Sequence, residues 1–174
     1  MSQLQETSLD RPSRPHHGDE RTLLNAFLDW HRATVRIKCD GLSDDDAHRA
    51  LLPTSPLMTV AGLVSHLRWN EHAWFEISLL NLPDRGPWSD EDPDAEMRVD
   101  DVPLAQLLDE YDAQCARSRE IVAGLDLETR ERGPQGGDDP VSLRWIMLHM
   151  IEETARHNGH LDTIRELTDG VKGM

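Results

Sequence analysis

Three ionisable residues of types that bind divalent metal ions lie where the helical pattern calls for apolar side chains. Glu153 and His157 are four residues apart near the end of the chain, and His66 lies in an earlier apolar segment. Residues one helical turn apart project side by side, so a carboxylate and an imidazole can reach one ion at about 2.0–2.2 Å. Two histidines and one carboxylate leave at least one coordination position open, which is typical of catalytic metal sites.

The helical phase of the last segment supports this interpretation. At about 100° per residue, His157 lies at the centre of an apolar stripe and Glu153 lies inside it. The apolar members of that stripe are Leu143, Ile146, Met150, Leu161 and Ile164. A bare carboxylate in such a stripe would cost several kcal/mol unless it is paired or bound to a metal.

The earlier segment has a similar pattern. His66 shares a face with Leu63, Ala73 and Ile77, so its side chain is expected to point inward. Asn70 follows one turn later on nearly the same face, whereas His72 is predicted to face solvent. Two helices thus each direct a histidine into one core.

Simpler interpretations remain open at this point. Glu153 and His157 could hydrogen-bond only to each other or to an arginine, for which the candidates are Arg68, Arg144 and Arg156. His160 lies at the edge of the stripe, where it could replace a ligand or contact one from behind. His149 is predicted to be a boundary residue satisfied by hydrogen bonds, and His31 and His48 are predicted to have surface roles.

Four helices are predicted to carry these residues. The periodicity places them at about 20–38, 59–82, 103–123 and 142–168, with Asp19, Thr59 and Ser142 as N-caps and Gly170 just past the last helix. Strand signals are weak, so an all-α fold is expected, with a four-helix bundle as its packing. The second and third helices are joined by a long connection rich in Pro, Asp and Gly. Residues 1–18 are expected to form a flexible tail, and residues 19–174 the bundle domain.

Composition narrows the classes of function. The chain has 174 residues and a net charge of −15, which argues against binding nucleic acid or an anionic membrane surface. No apolar run is long enough to span a bilayer, and the N-terminus lacks a secretory signal, so a cytoplasmic protein is expected. The two cysteines, Cys39 and Cys115, have no disulfide or CxxC spacing and are expected to be small packed thiols.

Two segments together resemble the DinB superfamily of metal-binding four-helix bundles. They are Val64-Ser65-His66-Leu67 and the run Leu148-His149-Met150-Ile151-Glu152-Glu153-Thr154-Ala155-Arg156-His157-Asn158-Gly159-His160. The resemblance extends from about residue 20 to the end of the chain and includes Trp88 to Asp90. Many relatives have three histidine ligands, with two at HxxxH spacing. This chain departs from that pattern because Glu153 stands at the first histidine of the pair. It is similar in this respect to mycothiol-dependent maleylpyruvate isomerases, which use a His, Glu, His set, and the alignment leaves His160 outside the ligands.

The resemblance implies a DinB-type bundle that binds a divalent ion through His66, Glu153 and His157. Relatives include isomerases and S-transferases that use mycothiol or bacillithiol, and ligand-bearing domains of sulfoxide synthases. It therefore implies a low-molecular-weight thiol and an electrophilic small molecule as substrates. The bias of arginine over lysine and the acidic composition look actinobacterial, which would make mycothiol the thiol.

Several expectations follow for the site and its alternatives. Zinc is expected first, with nickel, iron, cobalt or manganese also compatible with the ligands. Trp69 and Asn70 are expected to line the open side. Arg68 and Arg156 are candidates to meet carboxylates or sugar hydroxyls of a substrate, with solvated helix arginines as the favoured alternative. A metal-activated water would make the protein a hydrolase, and a closed site would make it a non-catalytic stress or accessory protein. A homodimer is predicted through exposed apolar faces such as those carrying Trp74, Phe75 and Leu79, although packing in the core would explain some of these residues equally well.

Overall fold

A computed structural model describes residues 11–133 and 138–172, which fold into helices joined by loops. The five α-helices are α1 (Glu20–Cys39), α2 (Asp44–Ala47), α3 (Val60–Glu71), α4 (Leu104–Ala123) and α5 (Leu143–Asp169). A π-helix (His72–Ser78) continues α3, and a 3₁₀-helix (Ala95–Met97) lies in the long connection before α4. Within these described ranges there is no β-strand, which confirms the all-α prediction.

Side-chain caps fix where three of the long helices begin. The side chains of Asp19, Thr59 and Ser142 accept hydrogen bonds from the backbone N–H of the third helical residue that follows each cap. These bonds satisfy N–H groups that have no partner within the helix. Gly170 ends α5 in the left-handed conformation, with φ of 81°. All four positions agree with the sequence-based prediction.

The four long helices pack as a bundle. α5 packs most extensively on α1 and also contacts α3, while α4 packs on α3 and on the π-helix. The predicted four-helix bundle with a long connection between its second and third helices is therefore confirmed. The short helix α2 was not predicted, and it lies in the loop between α1 and α3.

The apolar core is divided into two clusters along the bundle. α5 contributes residues up to Met150 to one cluster and residues from Leu161 onward to the other. Glu153 and His157 lie between these two parts of α5. All five members of the apolar stripe predicted for α5 are buried.

Polar residues separate the two clusters on other helices as well. On α1, Arg32 lies between residues that belong to different clusters, and Glu71 occupies the same place where α3 meets the π-helix. Arg32 and Glu71 form a buried bidentate ion pair, with N–O distances of 2.8 and 2.7 Å. We call Arg32, Glu71, Glu153 and His157 the polar layer.

The second helix departs from its predicted form. A continuous α-helix was predicted to residue 82, but the α-helical part ends at Glu71 and the π-helix follows. The backbone N–H of Leu79 donates to the carbonyl of Trp74, which is the five-residue spacing of a π-helix. The wider turn changes the phase of the residues after Glu71, and it allows Phe75, Glu76 and Ser78 all to be buried.

The prediction that His72 faces solvent is wrong. His72 is 1% exposed because both the long connection and α4 cover the part of the helix that an isolated amphipathic pattern would leave in water. The backbone N–H of Arg85, in that connection, lies 3.3 Å from His72 Nε2. The other ring nitrogen of His72, Nδ1, lies 3.4 Å from the carboxylate of Glu76.

The apolar face suggested for a homodimer is mostly core. Phe75 and Leu79 are fully buried in the bundle, which contradicts their assignment to an exposed face. Trp74 is half-buried and packs on Trp145 and His149. Homodimerisation itself stays a prediction.

The N-terminal segment contacts α1 where it is described. Residues 1–10 of the predicted flexible tail lie outside the described residues. Between residues 11 and 18 the chain forms no helix, and the guanidinium groups of Arg11 and Arg14 lie 4.6 and 3.9 Å from the ring centre of Trp30. Among the described helices, none combines the length and the apolar character that a membrane crossing requires.

Candidate metal centre

The two α5 residues of the predicted set lie in direct contact. His157 Nε2 lies 2.9 Å from Glu153 Oε1, as the four-residue spacing predicts. Their side chains are 12% and 13% exposed, so both are largely withdrawn from water without being sealed off. A helical turn that interrupts the apolar stripe thus presents one imidazole and one carboxylate to α3.

His66 meets this pair from α3. Its Nε2 lies 3.5 Å from the same oxygen of Glu153, and its side chain is 22% exposed. The rings of His66 and His157 are 4.8 Å apart between centres. The structure therefore brings together the three residues predicted as ligands, and one donor atom from each lies within 4.8 Å of the others.

The donor spacing fits one divalent ion. Ligand atoms at about 2.1 Å from a tetrahedral zinc ion are separated from one another by roughly 3.4 Å. The two distances from Glu153 Oε1 to the imidazoles, 2.9 and 3.5 Å, bracket that value. The donor set of two nitrogens and one oxygen also suits zinc and the neighbouring transition metals. The residues present can therefore hold such an ion.

The protonation states that a metal site needs are favoured by the surroundings. Burial lowers the pKa of His157, and the nearby His66 and His160 lower it further, although Glu153 opposes them. Burial alone would raise the pKa of Glu153, but its contacts with His157, His66 and Arg156 outweigh that effect. The pKa of Glu153 is therefore below its ordinary value. A neutral imidazole and an ionised carboxylate are the forms that bind metals.

Arg156 and His160 border the cluster of His66, Glu153 and His157. Arg156 donates to Glu153 Oε2 at 3.1 Å, which leaves Oε1 directed at the two imidazoles. His160 Nδ1 lies 3.3 Å from His157 Nδ1, on the part of the ring that does not face Glu153. The alternative in which an arginine alone pairs with Glu153 therefore holds for Oε2, whereas Oε1 contacts the imidazoles.

The residues expected to line the open side separate into two groups. Asn70 contacts the cluster, with its amide nitrogen 2.8 Å from His66 Nε2. Arg68 and Trp69 instead line a cavity of about 410 Å³ between α3, α4 and the long connection. The Arg68 guanidinium lies over the Trp69 ring at 3.5 Å. The remaining residues of that cavity are His72, Glu76, Arg85, Glu110, Ala113, Gln114 and Arg117.

Other histidines and arginines considered from the sequence lie elsewhere. His149 stacks on Trp145, with ring centres 5.2 Å apart, so aromatic contacts take the place of the hydrogen bonds expected for it. His48 bonds to backbone carbonyls of Asp44 and Val99. Arg144 pairs with Glu20 and Glu128, away from the cluster.

Sequence reasoning missed one residue in contact with the cluster. Glu96 belongs to the 3₁₀-helix of the long connection, and its Oε1 lies 3.1 Å from His66 Nδ1. It stands among other acidic residues in a segment without helical periodicity, so neither spacing nor phase distinguishes it. Packing of the connection on α3 brings it to the site.

The chain resembles one solved structure in fold. A conserved protein from Enterococcus faecalis superposes with a TM-score of 0.64 and 18% sequence identity, and the match covers 89% of this chain and 100% of that one. No curated protein sequence matches the chain. A family model described as mycothiol-S-transferase matches residues 23–170, which include all four long helices except the first residues of α1. The chain therefore belongs to the mycothiol-S-transferase family, within the DinB superfamily predicted from its motifs.

Proposed function

We propose that this protein is a metal-dependent transferase that joins a low-molecular-weight thiol, mycothiol in the first instance, to an electrophilic small molecule. The observation that carries the proposal is the convergence of His66 Nε2 and His157 Nε2 on one oxygen of Glu153. Membership in the mycothiol-S-transferase family supports the class of reaction. The family by itself leaves the metal and the second substrate open.

Each residue of the cluster has a distinct part in this proposal. His66, Glu153 and His157 would hold the ion, and Arg156 restrains the second oxygen of Glu153. Two neutral imidazoles and one carboxylate leave a divalent ion with a net charge of about +1. When bound, such an ion lowers the pKa of a thiol that coordinates it, and so supplies thiolate near neutral pH. Zinc is the metal we expect first.

The protein does not supply the nucleophile in this proposal. Cys39 and Cys115 are both buried in the core, apart from the cluster. Burial raises the pKa of Cys39 to about 12 and that of Cys115 further still, so both remain thiols at neutral pH. A thiolate must therefore come from a small molecule that enters the site.

A cavity on the neighbouring face of α3 supports a polar thiol substrate. Arg68 and Trp69, which line it, directly precede Asn70 on α3, and Asn70 contacts His66 of the cluster. Its lining combines guanidinium, carboxylate, amide and indole groups, which can hydrogen-bond hydroxyls and carboxylates. We propose that Arg68 and Trp69 contact the polar body of the thiol, and that Asn70 and Arg156 border the reacting end.

The test uses protein purified without a histidine tag and stripped of metal. Zinc, mycothiol and a chlorobimane are then added, and formation of the fluorescent conjugate is followed. We expect a rate above the metal-free control, and stoichiometric zinc that is lost in Glu153→Ala. Glu152→Ala is the matched control, because it removes an exposed carboxylate from the adjacent position.

Three outcomes would contradict parts of the proposal. A conjugation rate equal to that of the metal-free protein excludes the transferase for this thiol. Full zinc occupancy in Glu153→Ala excludes the ligand assignment. Thiol-independent hydrolysis of an activated ester by the zinc-loaded protein would favour the hydrolase instead.

A cytoplasmic location, where mycothiol would be reduced, is part of the proposal.

A further inference from the structure

The 3₁₀-helix of the long connection brings a buried carboxylate to the side of His66 that faces away from Glu153. Glu96 is 8% exposed, and its Oε1 lies 3.1 Å from His66 Nδ1. We propose that Glu96 is a positioning residue, which accepts a hydrogen bond from Nδ1–H of His66 and thereby directs the unprotonated Nε2 at the metal. This inference rests on the proposed metal site but not on the proposed reaction.

The backbone around Glu96 is held against α3 by two features. The Ser65 hydroxyl donates to the Glu96 carbonyl at 2.6 Å, and this bond is buried. Gly62, one turn before His66, lets the connection approach, because a Cβ there would lie 3.1 Å from the Met97 carbonyl oxygen. That Cβ would also lie 2.5 Å from the Leu57 carbonyl oxygen. The carboxylate of Glu96 is thus carried by a segment that is hydrogen-bonded to α3 and packs closely on it.

Asn70 points to the same tautomer of His66 from the other side of the ring. Its amide nitrogen, a donor, lies 2.8 Å from Nε2. With its amide nitrogen toward the ring, Asn70 donates to a lone pair on Nε2, which places the ring proton on Nδ1, facing Glu96. The amide can turn its oxygen to the ring instead, so Asn70 follows the tautomer that Glu96 selects. Glu153 Oε1 also faces Nε2, but at 3.5 Å, farther than the Glu96 and Asn70 contacts. The two shorter contacts therefore favour a proton on Nδ1, which is the pattern a metal ligand needs.

The surroundings of Glu96 argue against a purely structural role. Its second oxygen, Oε2, is buried and accepts no hydrogen bond from any residue in the described ranges. Burying a carboxylate with so few partners costs free energy. An apolar residue would fill this position at a lower cost. The contact with His66 is what the carboxylate supplies and an apolar side chain cannot.

The first test reads the tautomer in metal-free protein. Long-range ¹H–¹⁵N spectra of protein labelled at histidine, recorded at mildly alkaline pH, distinguish protonated from unprotonated ring nitrogens. We expect His66 to carry its proton on Nδ1 in the wild type, and to become a mixture of both tautomers in Glu96→Ala. A His66 that is protonated on Nε2 in the wild type overturns the proposal, as does an unchanged tautomer in Glu96→Ala.

The second test measures zinc affinity by competition with a chromophoric chelator. Loss of a carboxylate that orients a metal-bound histidine typically weakens metal binding about 10–100-fold. We expect a decrease of that size in Glu96→Ala and an unchanged affinity in Asp94→Ala, which removes an exposed carboxylate two residues away. In Glu96→Gln the amide oxygen can still accept from Nδ1–H, so part of the affinity should return.

The two variants make the result interpretable whatever happens to folding. If Glu96→Ala fails to fold, Glu96→Gln carries the test. A neutral amide oxygen is a weaker acceptor than a carboxylate, so zinc affinity should fall and the Nδ1 resonance should shift in Glu96→Gln. A Glu96→Gln protein with wild-type affinity and an unshifted Nδ1 resonance overturns the proposal. Equal affinity in Glu96→Ala and Asp94→Ala also refutes the proposal. None of these readouts depends on turnover, so failure of the transferase assay is distinguishable from failure of this inference.

Discussion

Replacing Glu71 with alanine should destabilise the protein strongly, because it leaves a buried guanidinium without its main partner. Glu71 and Arg32 are 1% and 6% exposed and form two parallel hydrogen bonds, of 2.7 and 2.8 Å. Breaking one side of a buried ion pair typically costs about 3–5 kcal/mol. Arg32 keeps a third contact, with Asp29 at 2.9 Å, which is partly exposed. We therefore expect the lower end of that range, about 3 kcal/mol in the free energy of unfolding.

That loss is large enough to be measured in two ways. For a chain of this size, about 3 kcal/mol corresponds to a Tm that is lower by roughly 6–12 °C. Urea unfolding followed by far-UV circular dichroism should show a lower midpoint with an unchanged m value. Glu120→Ala is the matched control, because it removes a carboxylate that pairs with Arg117 on the exposed surface. Such an exposed pair is worth about 0–1 kcal/mol.

A double variant separates the loss of pairing from the loss of packing. Arg32→Met combined with Glu71→Leu removes both charges and keeps apolar volume, so it should recover most or all of the stability. A loss below about 1 kcal/mol in Glu71→Ala would show that the isolated guanidinium is hydrated or neutralised in another way. A double variant no more stable than Glu71→Ala would also refute the reasoning.

Three further predictions concern the thiols, the cavity and pH. Cys39 and Cys115 should not react with Ellman's reagent in the folded protein, because burial raises the pKa of both thiols. Two reactive thiols should appear once the protein is unfolded in guanidinium chloride. Rapid reaction of the native protein would contradict this prediction. Arg68→Ala should raise KM for the thiol roughly 10-fold or more, since a hydrogen bond to a charged group contributes about 1.5–3 kcal/mol, and it should leave zinc affinity unchanged. Arg98→Ala removes an exposed arginine and is the control. Equal KM values in the two variants would exclude a contact between Arg68 and the thiol. Burial, with Arg14 and Arg11, lowers the pKa of His31, so the unfolded chain takes up a proton first and stability falls as pH drops below about 6.5. His31→Gln should flatten this fall in urea midpoints between neutral and mildly acidic pH, and an unaltered slope would count against the assignment.

Local sequence signals predicted much of the fold. Caps such as Asp19 and Ser142 and the terminal Gly170 act through bonds or dihedral angles within a few residues, so the chain alone specifies them. The π-helix after Glu71 could not be predicted in this way. Its phase depends on burial of Glu76 and Ser78 against other elements, and a pattern with a single period does not include that contribution.

In the candidate site, too, residues identified by local helical pattern were predicted and residues brought in by tertiary packing were not. Glu153 and His157 were found because they interrupt a regular stripe on one helix, and His66 because it lies inward on another. The two imidazoles meet at one oxygen of Glu153, which is a tertiary contact. The helical phase of either helix alone does not predict this contact; the phases of both helices together do. Glu96 and His72 were missed or misplaced because a connection without periodicity packs on α3, and no rule of helical spacing describes that packing.

The polar layer has a consequence for how the helices align. The apolar clusters on either side of it are built from the same few residue types, mainly leucine, isoleucine and valine, so apolar pattern alone would tolerate a slip of one helix by a turn. A slip of about 5.4 Å would press Arg32 or Glu153 against aliphatic side chains and separate each from its partner. The layer therefore marks a single register for α1, α3 and α5. We expect a variant with an apolar layer to keep its stability while losing the uniqueness of its helix alignment.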